Sequence, residues 1–336
     1  MHRSPPDRAS SRPTLAVAVI GLAAACLPTL VHAQSPGTWP VRPIRMMLGF
    51  APGGPADIVG RTIAPKLTEL LGQQVIIENR GGAGGTVATE LVARSTPDGY
   101  TLTLASQSSY VFAPWLYPKL GYDPVKDFAP ISTVVNTPYV VAINPRVPAK
   151  TVADLVRLGK GKKAFLTFGS SGPGATSHIG GELLAQATGM PLLHVPYKGT
   201  GPSLAALVAG EIDIMIADLG PVLNMVKDGR LRVLAGFGAK RTGAMPGLPT
   251  MAEAGFKMHP LDGRFGVIAP AGVSRDIINR LHSAVVQTTK MPDVRQRFEA
   301  LGYEVVGDTP EQYAQSIRVE LEVFGKLIRG AGIKPE

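Results

Sequence analysis

A single cysteine, Cys26, stands in this 336-residue chain. With one thiol the chain cannot close an internal disulfide, so its fold must rest on its core. Charged residues make up only 18% of the sequence and hydrophobic residues 45%, which excludes a disordered, charge-solvated chain. Positive residues are scattered. The one dense run is Lys160-Gly-Lys162-Lys163, which reads as a solvated loop, so nucleic acid is not an expected partner. Beyond residue 33 the histidines are His178, His194, His259 and His282. None pairs at metal-ligand spacing and no thiol accompanies them, so neither a metal site nor a cofactor is expected. Gly172-x-Gly174 is followed by Ser177 where a dinucleotide fingerprint needs glycine, and no Gly-Lys-Ser/Thr phosphate loop occurs. Gly169-x-Ser171 has Pro173 where a nucleophile elbow ends in glycine. Ser170 or Ser171 with His178 could act as nucleophile and base. Equally, the hydroxyls could donate to a ligand while the histidine sits on a helix's first turns. The missing constellations favour binding without catalysis.

What is present begins with the N-terminal segment. Arg3, Arg8 and Arg12 precede an apolar stretch from Leu15 to Val31, broken by Pro28. Val31-His32-Ala33 then supplies small residues at cleavage spacing. The pattern predicts a secretory signal peptide over 1–33, a mature chain starting at Gln34, and a periplasmic protein. The apolar length and Pro28 argue against a membrane anchor. Lipid anchoring at Cys26 is the rival, but Ala23 stands where a residue like Leu would support it. The formal charge is +9; the first 33 residues carry three Arg and one Asp, which leaves about +7. Such basicity suits an anionic ligand.

The length fits two domains better than one core. Strands are expected at Ile44–Leu48, Val75–Glu78 and Tyr100–Ala105. A helix between the first two carries Ile58, Val59, Ile63, Leu67 and Leu71 on or near one face and should kink at Pro65. This βαβαβ run predicts a mostly parallel sheet with helices on both faces. The pattern restarts after Pro145. A helix opens near Thr151–Asp154, and strands follow at Ala164–Phe168, Leu192–Val195 and Ile212–Ala217. Helices span Thr176–Thr188 and about Thr309–Arg329. The last carries Tyr313, Ile317, Leu321, Phe324 and Ile328 on one stripe.

Three glycine-rich loops lie at strand ends and open helices: residues 51–55, 81–85 and 169–174. Such loops can aim several backbone N–H groups at one point, and a helix N-terminus adds partial positive charge. Together they form an anion site without a cationic side chain. The ligand should lie beyond the carboxyl ends of the strands. Phe50, Ala51, Gly53 and Gly54 are therefore candidates from the first loop. Ser170, Ser171, Gly174, Thr176 and His178 are candidates from the third. Asp57 either caps the first helix or binds ligand. Ser106 and Asp218 close their strands and are further candidates, whereas Asp213 reads as solvent-facing. Tyr197 and Lys198 either reach the ligand or form a structural turn.

These stretches carry a family resemblance. Phe50-Ala-Pro-Gly-Gly-Pro-Ala-Asp57, Glu78-Asn-Arg-Gly-Gly-Ala-Gly-Gly85 and Pro97-Asp-Gly-Tyr-Thr-Leu102 recur in it, as do Gly169-Ser-Ser-Gly-Pro-Gly174, His178-Ile-Gly-Gly-Glu182 and His194-Val-Pro-Tyr-Lys-Gly199. Leu231-Arg-Val-Leu-Ala235, Pro249-Thr-Met-Ala-Glu-Ala-Gly255 and Ala269-Pro-Ala-Gly272 complete the set. From Trp39 to its end the chain resembles the Bug-type (TctC-like) substrate-binding proteins of tripartite tricarboxylate transporters. The resemblance implies an α/β, type II periplasmic-binding-protein (Venus flytrap) fold. Two doubly wound lobes would be joined by a two-crossover hinge, near Tyr139–Pro145 and Leu261–Gly266. Lobe one would comprise 34–143 plus 265–336, and lobe two 144–264. It implies a monomer that holds a small organic acid, with the first loop gripping a carboxylate through amides and water. The partner would be a membrane transporter or a sensor. Three positions depart from the family pattern: Gly81 replaces a usual Pro, Gly60 a usual Ala, and Arg264 an aromatic residue. Arg264 is thus either a cationic contact for a second carboxylate or a solvated hinge residue.

Overall fold

The computed structural model describes residues 38–161 and 165–333. The expected cleavage after Ala33 and the alternative anchor at Cys26 lie outside these residues.

The chain enters through β1 (Ile44–Leu48), α1 (Pro55–Leu71) and β2 (Val75–Asn79). Pro55 starts α1, where its missing N–H costs nothing. Val59, Ile63, Leu67 and Leu71 bury one face of that helix, and Gly72, at φ 73°, ends it. The helix continues through Pro65. A 3-10 turn at Ala83–Gly85 leads into α2 (Thr86–Ala93), followed by β3 (Thr101–Ser106). β1 pairs in parallel with both β2 and β3, as the βαβαβ pattern predicts. A π-helical turn at Ser108–Phe112 and the short α3 (Ala113–Leu116) then deliver the chain to β4 (Phe128–Ile143).

The second half repeats the alternation. It runs α4 (Val152–Gly161), β5 (Leu166–Ser170), α5 (Thr176–Thr188), β6 (Leu192–Pro196) and α6 (Thr200–Ala209). β7 (Ile214–Asp218), α7 (Leu219–Lys227) and β8 (Arg232–Gly236) follow. β5 lies parallel between β6 and β7. The chain then returns through β9 (Asp262–Pro270), α8 (Arg275–Lys290), α9 (Pro292–Ala300), β10 (Glu304–Val305) and α10 (Pro310–Gly330). α10 starts with a full capping box between Thr309 and Gln312. Its expected stripe is buried at Tyr313, Ile317, Phe324 and Ile328, with Leu321 half-buried.

The sheet corrects one expectation. It is not mostly parallel, because β9 pairs antiparallel with β3 and with β4. β4 is a 16-residue strand that changes partners along its length. Phe128–Pro138 pairs with β9, whereas Tyr139–Ile143 pairs with β7. β8 and β10 also join β4 in antiparallel fashion. A second passage lies beside the first, where Leu261 N–H donates to Phe237 O at 3.0 Å just before β9. The result is a two-lobed α/β molecule whose parallel strand groups, β2-β1-β3 and β7-β5-β6, meet through β9 and β4.

Each group has its own apolar face. Ile44, Met46, Leu48, Ile63, Leu67 and Leu281 pack around the first group. Val140, Leu207, Met215 and Val222 pack around the second. A third cluster runs through both, from Phe112, Tyr313 and Phe324 to Phe168, Ile179 and Ile216.

Candidate functional site

The first loop leaves β1 at Gly49 and enters α1 at Pro55. It is held from behind by Asp57, which is 7% exposed. Gly53 N–H donates to Asp57 Oδ2 at 3.1 Å, and Arg61 Nε donates to Oδ1 at 2.9 Å. Asn79 Nδ2, at the end of β2, donates to both Phe50 O (3.0 Å) and Asp57 Oδ1 (3.2 Å). Burial opposes the charge on Asp57. The bonds from Arg61, Gly53 and Asn79, with the charge of Arg61, nonetheless hold its pKa below the usual aspartate value. Asp57 therefore grips the loop; the helix N-cap is Gly54, which has no side-chain cap. Gly53 sits at φ +84°, the left-handed region that glycine enters without a steric penalty.

The third loop is held by the same device. His178 follows Gly174 by four residues, as Asp57 follows Gly53. Gly174, at φ +69°, donates its N–H to His178 Nδ1 at 3.2 Å. That bond places the imidazole proton on Nε2, 3.8 Å from Glu182 Oε1. His178 stacks on His194 with centroids 4.1 Å apart, and His194 stacks on Phe168 at 4.8 Å. Burial, and for His178 also the neighbouring His194, lowers both imidazoles to a pKa of about 4. Both rings are neutral at pH 7. Ser170 lies 2.6 Å from His194 Nε2, so the serine–histidine pairing foreseen with His178 forms with His194 instead. Ser170 is fully buried, and its Oγ also bonds the backbone of Gly172. No substrate could reach that hydroxyl, and the pair serves to shape the loop. Ser171 points the other way, into the cleft, with its N–H donating to Ser177 Oγ at 3.0 Å.

The loops converge. A Cβ on Gly49 would come within 2.6 Å of Gly85 Cα, and one on Gly84 within 3.1 Å of Pro173 O. Between the first, second and third loops lies an open cavity of about 530 Å³, lined in part by Phe50, Ala51, Ser171, Tyr197 and Lys198. Adjoining it through the shared Phe50 and Ser171 is a smaller, lower cavity of about 20 Å³, room for roughly one water. Phe50, Pro55, Ser106, Ser108 and Arg264 face it from the first-loop side and the hinge. Ser171, Thr176 and Thr200 face it from the opposite lobe. The lobes touch here: Thr176 N–H donates to Ser108 Oγ at 3.0 Å, and the two hydroxyls lie 3.2 Å apart. Tyr117 OH also donates to Pro173 O at 3.1 Å. Ser106 Oγ is buried with no hydrogen-bond partner among the described residues, a donor left for something in the cavity.

The candidate residues thus sort by position. Phe50, Ala51, Ser106, Ser171, Thr176, Tyr197, Lys198 and Arg264 line the two cavities. Gly54 abuts the cleft, since a Cβ there would lie 3.4 Å from Thr200 Oγ1. Gly53, Asp57, Ser170, Gly174 and His178 form the loops and their supports. Asp218 lines neither cavity. It caps α7 through Gly220 N–H at 3.1 Å and accepts from Tyr303 OH at 2.6 Å. Ser108, Thr200 and Tyr139 line the lower cavity but were not singled out from the sequence. Ser108 shares a serine-rich stretch with Ser106, and Thr200 opens the helix after Tyr197-Lys-Gly199. Tyr139 gives no local signal.

Arg264 is not a solvated hinge residue. Its Nη1 lies 2.9 Å from Glu320 Oε1, and its Nε donates to Asn136 Oδ1 at 3.3 Å. Glu320 Oε2 accepts from Gln107 Nε2 at 3.0 Å. The side chains of Arg264 and Glu320 are 21% and 14% exposed. Burial is the largest single influence on Arg264 and works against its charge; only together do Glu320, Tyr110, Tyr313 and Asp308 outweigh it and raise the arginine pKa. The pair is ionic. Among the described residues no three carboxylate, histidine or thiol groups cluster to hold a metal, and no helix is long and apolar enough to cross a membrane.

Residues 59–333 match the family model for the tripartite tricarboxylate transporter family receptor. BugT of Bordetella pertussis is 34% identical over 95% of this chain and 98% of its own length. The structure of the periplasmic binding protein BugD is 32% identical and superposes with a TM-score of 0.85, covering 89% of this chain and all of that one. An R. palustris protein, Rpa4515, solved with adipate, is 31% identical with a TM-score of 0.86 over 89% of this chain and all of its own. Loop geometry, two-lobed fold and sequence agree: this chain belongs to the tripartite tricarboxylate transporter receptors of the Bug (TctC-like) type, extracytoplasmic solute-binding proteins rather than enzymes.

Proposed function

We propose that this receptor holds its small organic carboxylate in the cleft between the two lobes, in the periplasm, and hands it as a monomer to a tripartite tricarboxylate-type membrane transporter. The observation that carries this reading is the convergence of three glycine-rich loops on one cleft beside the unsatisfied hydroxyl of Ser106. The start of α1 and the N–H groups of the loops favour one carboxylate there. Ser171, Thr176 and Thr200 from the facing lobe then close over it. The adipate held by the R. palustris relative supports an organic acid as the ligand class. The change of partners along β4 and the Leu261–Phe237 bond support a hinge of two passages, a few residues before the boundaries drawn from the sequence.

Binding at the micromolar level requires only about 8 kcal/mol. A few charge-assisted hydrogen bonds at about 1.5–3 kcal/mol each could supply much of it. The test is mass spectrometry of ligand released from freshly purified protein, followed by calorimetry with the acid found. A carboxylate should be released unchanged and should rebind. Release of a non-acidic solute that rebinds, or chemical conversion of the acid, would refute the proposal.

A further inference from the structure

Arg264 is the one charged side chain lining the lower cavity, among the described residues that do so. The other polar groups there are hydroxyls: Ser106, Ser108, Tyr139, Ser171, Thr176 and Thr200. Read alone, an arginine at the floor of a carboxylate cleft invites a second carboxylate. The structure gives that arginine a partner already. Glu320, on α10, lies 2.9 Å from its Nη1 as an ion pair, without the geometry of a hydrogen bond, so that this buried nitrogen makes none among the described residues. Glu320 is itself held by Gln107 Nε2 at 3.0 Å. Asn136 occupies the Nε of the same guanidinium. The arginine that lines the cavity is therefore paired with a buried carboxylate, Glu320, that stands behind it and does not itself line the cavity. A carboxylate placed against Arg264 would meet a guanidinium whose charge Glu320 already offsets, and would feel that carboxylate's repulsion where water is excluded. Glu320 cannot turn away without leaving Gln107 and exposing an uncompensated arginine.

We infer that the Arg264–Glu320 pair makes this receptor select acids with a single carboxylate and an uncharged polar far end over dicarboxylates. This rests on the carboxylate-receptor reading above and specifies its ligand class. The single carboxylate takes the amides of the loops. The far end, a hydroxyl, carbonyl or amide, takes the free Ser106 hydroxyl and its neighbours. Glu320 is thus a specificity-determining residue that acts through the charge balance of the floor.

The experiment compares probes that differ by one charge at nearly constant shape: succinate against succinamate, and adipate against its half-amide, by calorimetry at pH 7.5. Wild-type protein should bind the better half-amide about tenfold or more tightly than the matching diacid. Glu320→Gln frees the arginine charge and should move that ratio about tenfold or more towards the diacid. Diacid binding equal to or tighter than the half-amide in the wild type overturns the inference, and that comparison needs no variant to fold. An unchanged ratio in a Glu320→Gln protein with a normal melting transition overturns it too. If the wild type takes neither half-amide, the inference falls, while the carboxylate-receptor reading is judged separately by the ligand released from the purified protein.

Discussion

Asp218 shows what one residue can hide from a sequence. It closes β7, where a ligand contact is expected, yet it is 2% exposed and bonded to Tyr303, 85 residues downstream. Burial raises its pKa from 3.8 to about 6, although Thr137, Tyr303 and the Gly220 N–H all pull it back. A carboxyl whose folded pKa is raised holds its proton more tightly when folded. Its contribution to stability is greatest below about pH 4 and is lost as pH rises through about 6. Asp218→Asn keeps an acceptor for Tyr303 and Gly220 and removes the buried charge. The variant should be more stable than wild type by about 1–3 kcal/mol above pH 7, with the difference vanishing near pH 4. Urea unfolding across pH 4–8 measures it; a difference independent of pH would contradict this account. The strand end was legible in the sequence. The bond to Tyr303 was not, because nothing local connects residues that far apart.

At the scale of elements, the two lobes use one construction. A strand ends, a glycine takes a positive φ, and a side chain four residues later reaches back to accept that glycine's N–H. This makes the two first-loop glycines separable. Gly54 has φ −86° and ψ 176°, which any residue adopts, but its Cβ direction meets Thr200 across the cleft. Gly54→Val should leave the melting temperature nearly unchanged and abolish binding by wedging the lobes apart. Gly53 has φ +84° and open space around its Cβ direction. Gly53→Val should instead cost about 1–3 kcal/mol of stability through backbone strain and weaken binding by moving the loop. Thermal unfolding with calorimetry on both variants decides; identical profiles would refute the distinction. Such loops were readable because Gly and Pro clusters are local signals, and α5 begins and ends where its pattern says, at Thr176 and Thr188. β4 was not, because Pro130 and Pro138 interrupt any strand pattern and its partners lie far along the chain. β9 was missed for the same lack of local signal, and with it the antiparallel seam between the parallel groups.

For the whole molecule, Ser108 and Thr176 hold the lobes together directly across the cleft. With the ligand in the proposed cleft, its exit would require that contact to break, which would link opening to binding. Small-angle scattering should show the protein compacting when a binding carboxylate is added to saturation. Ser108→Ala, which leaves the Thr176 N–H without its acceptor, should reduce the compaction at subsaturating acid. Scattering indifferent to ligand would refute hinge closure. β4, the strand shared by the two strand groups, also orders events during synthesis. Every strand that pairs with β4 lies downstream of it: β7, β8, β9 and finally β10 at Glu304–Val305. The β1–β3 unit can pair as soon as residue 106 is available. β4 waits, partly unpaired, until nearly the last helix has been made, and such distant pairing is slow. The element that joins the lobes is therefore completed only after much of both has been laid down.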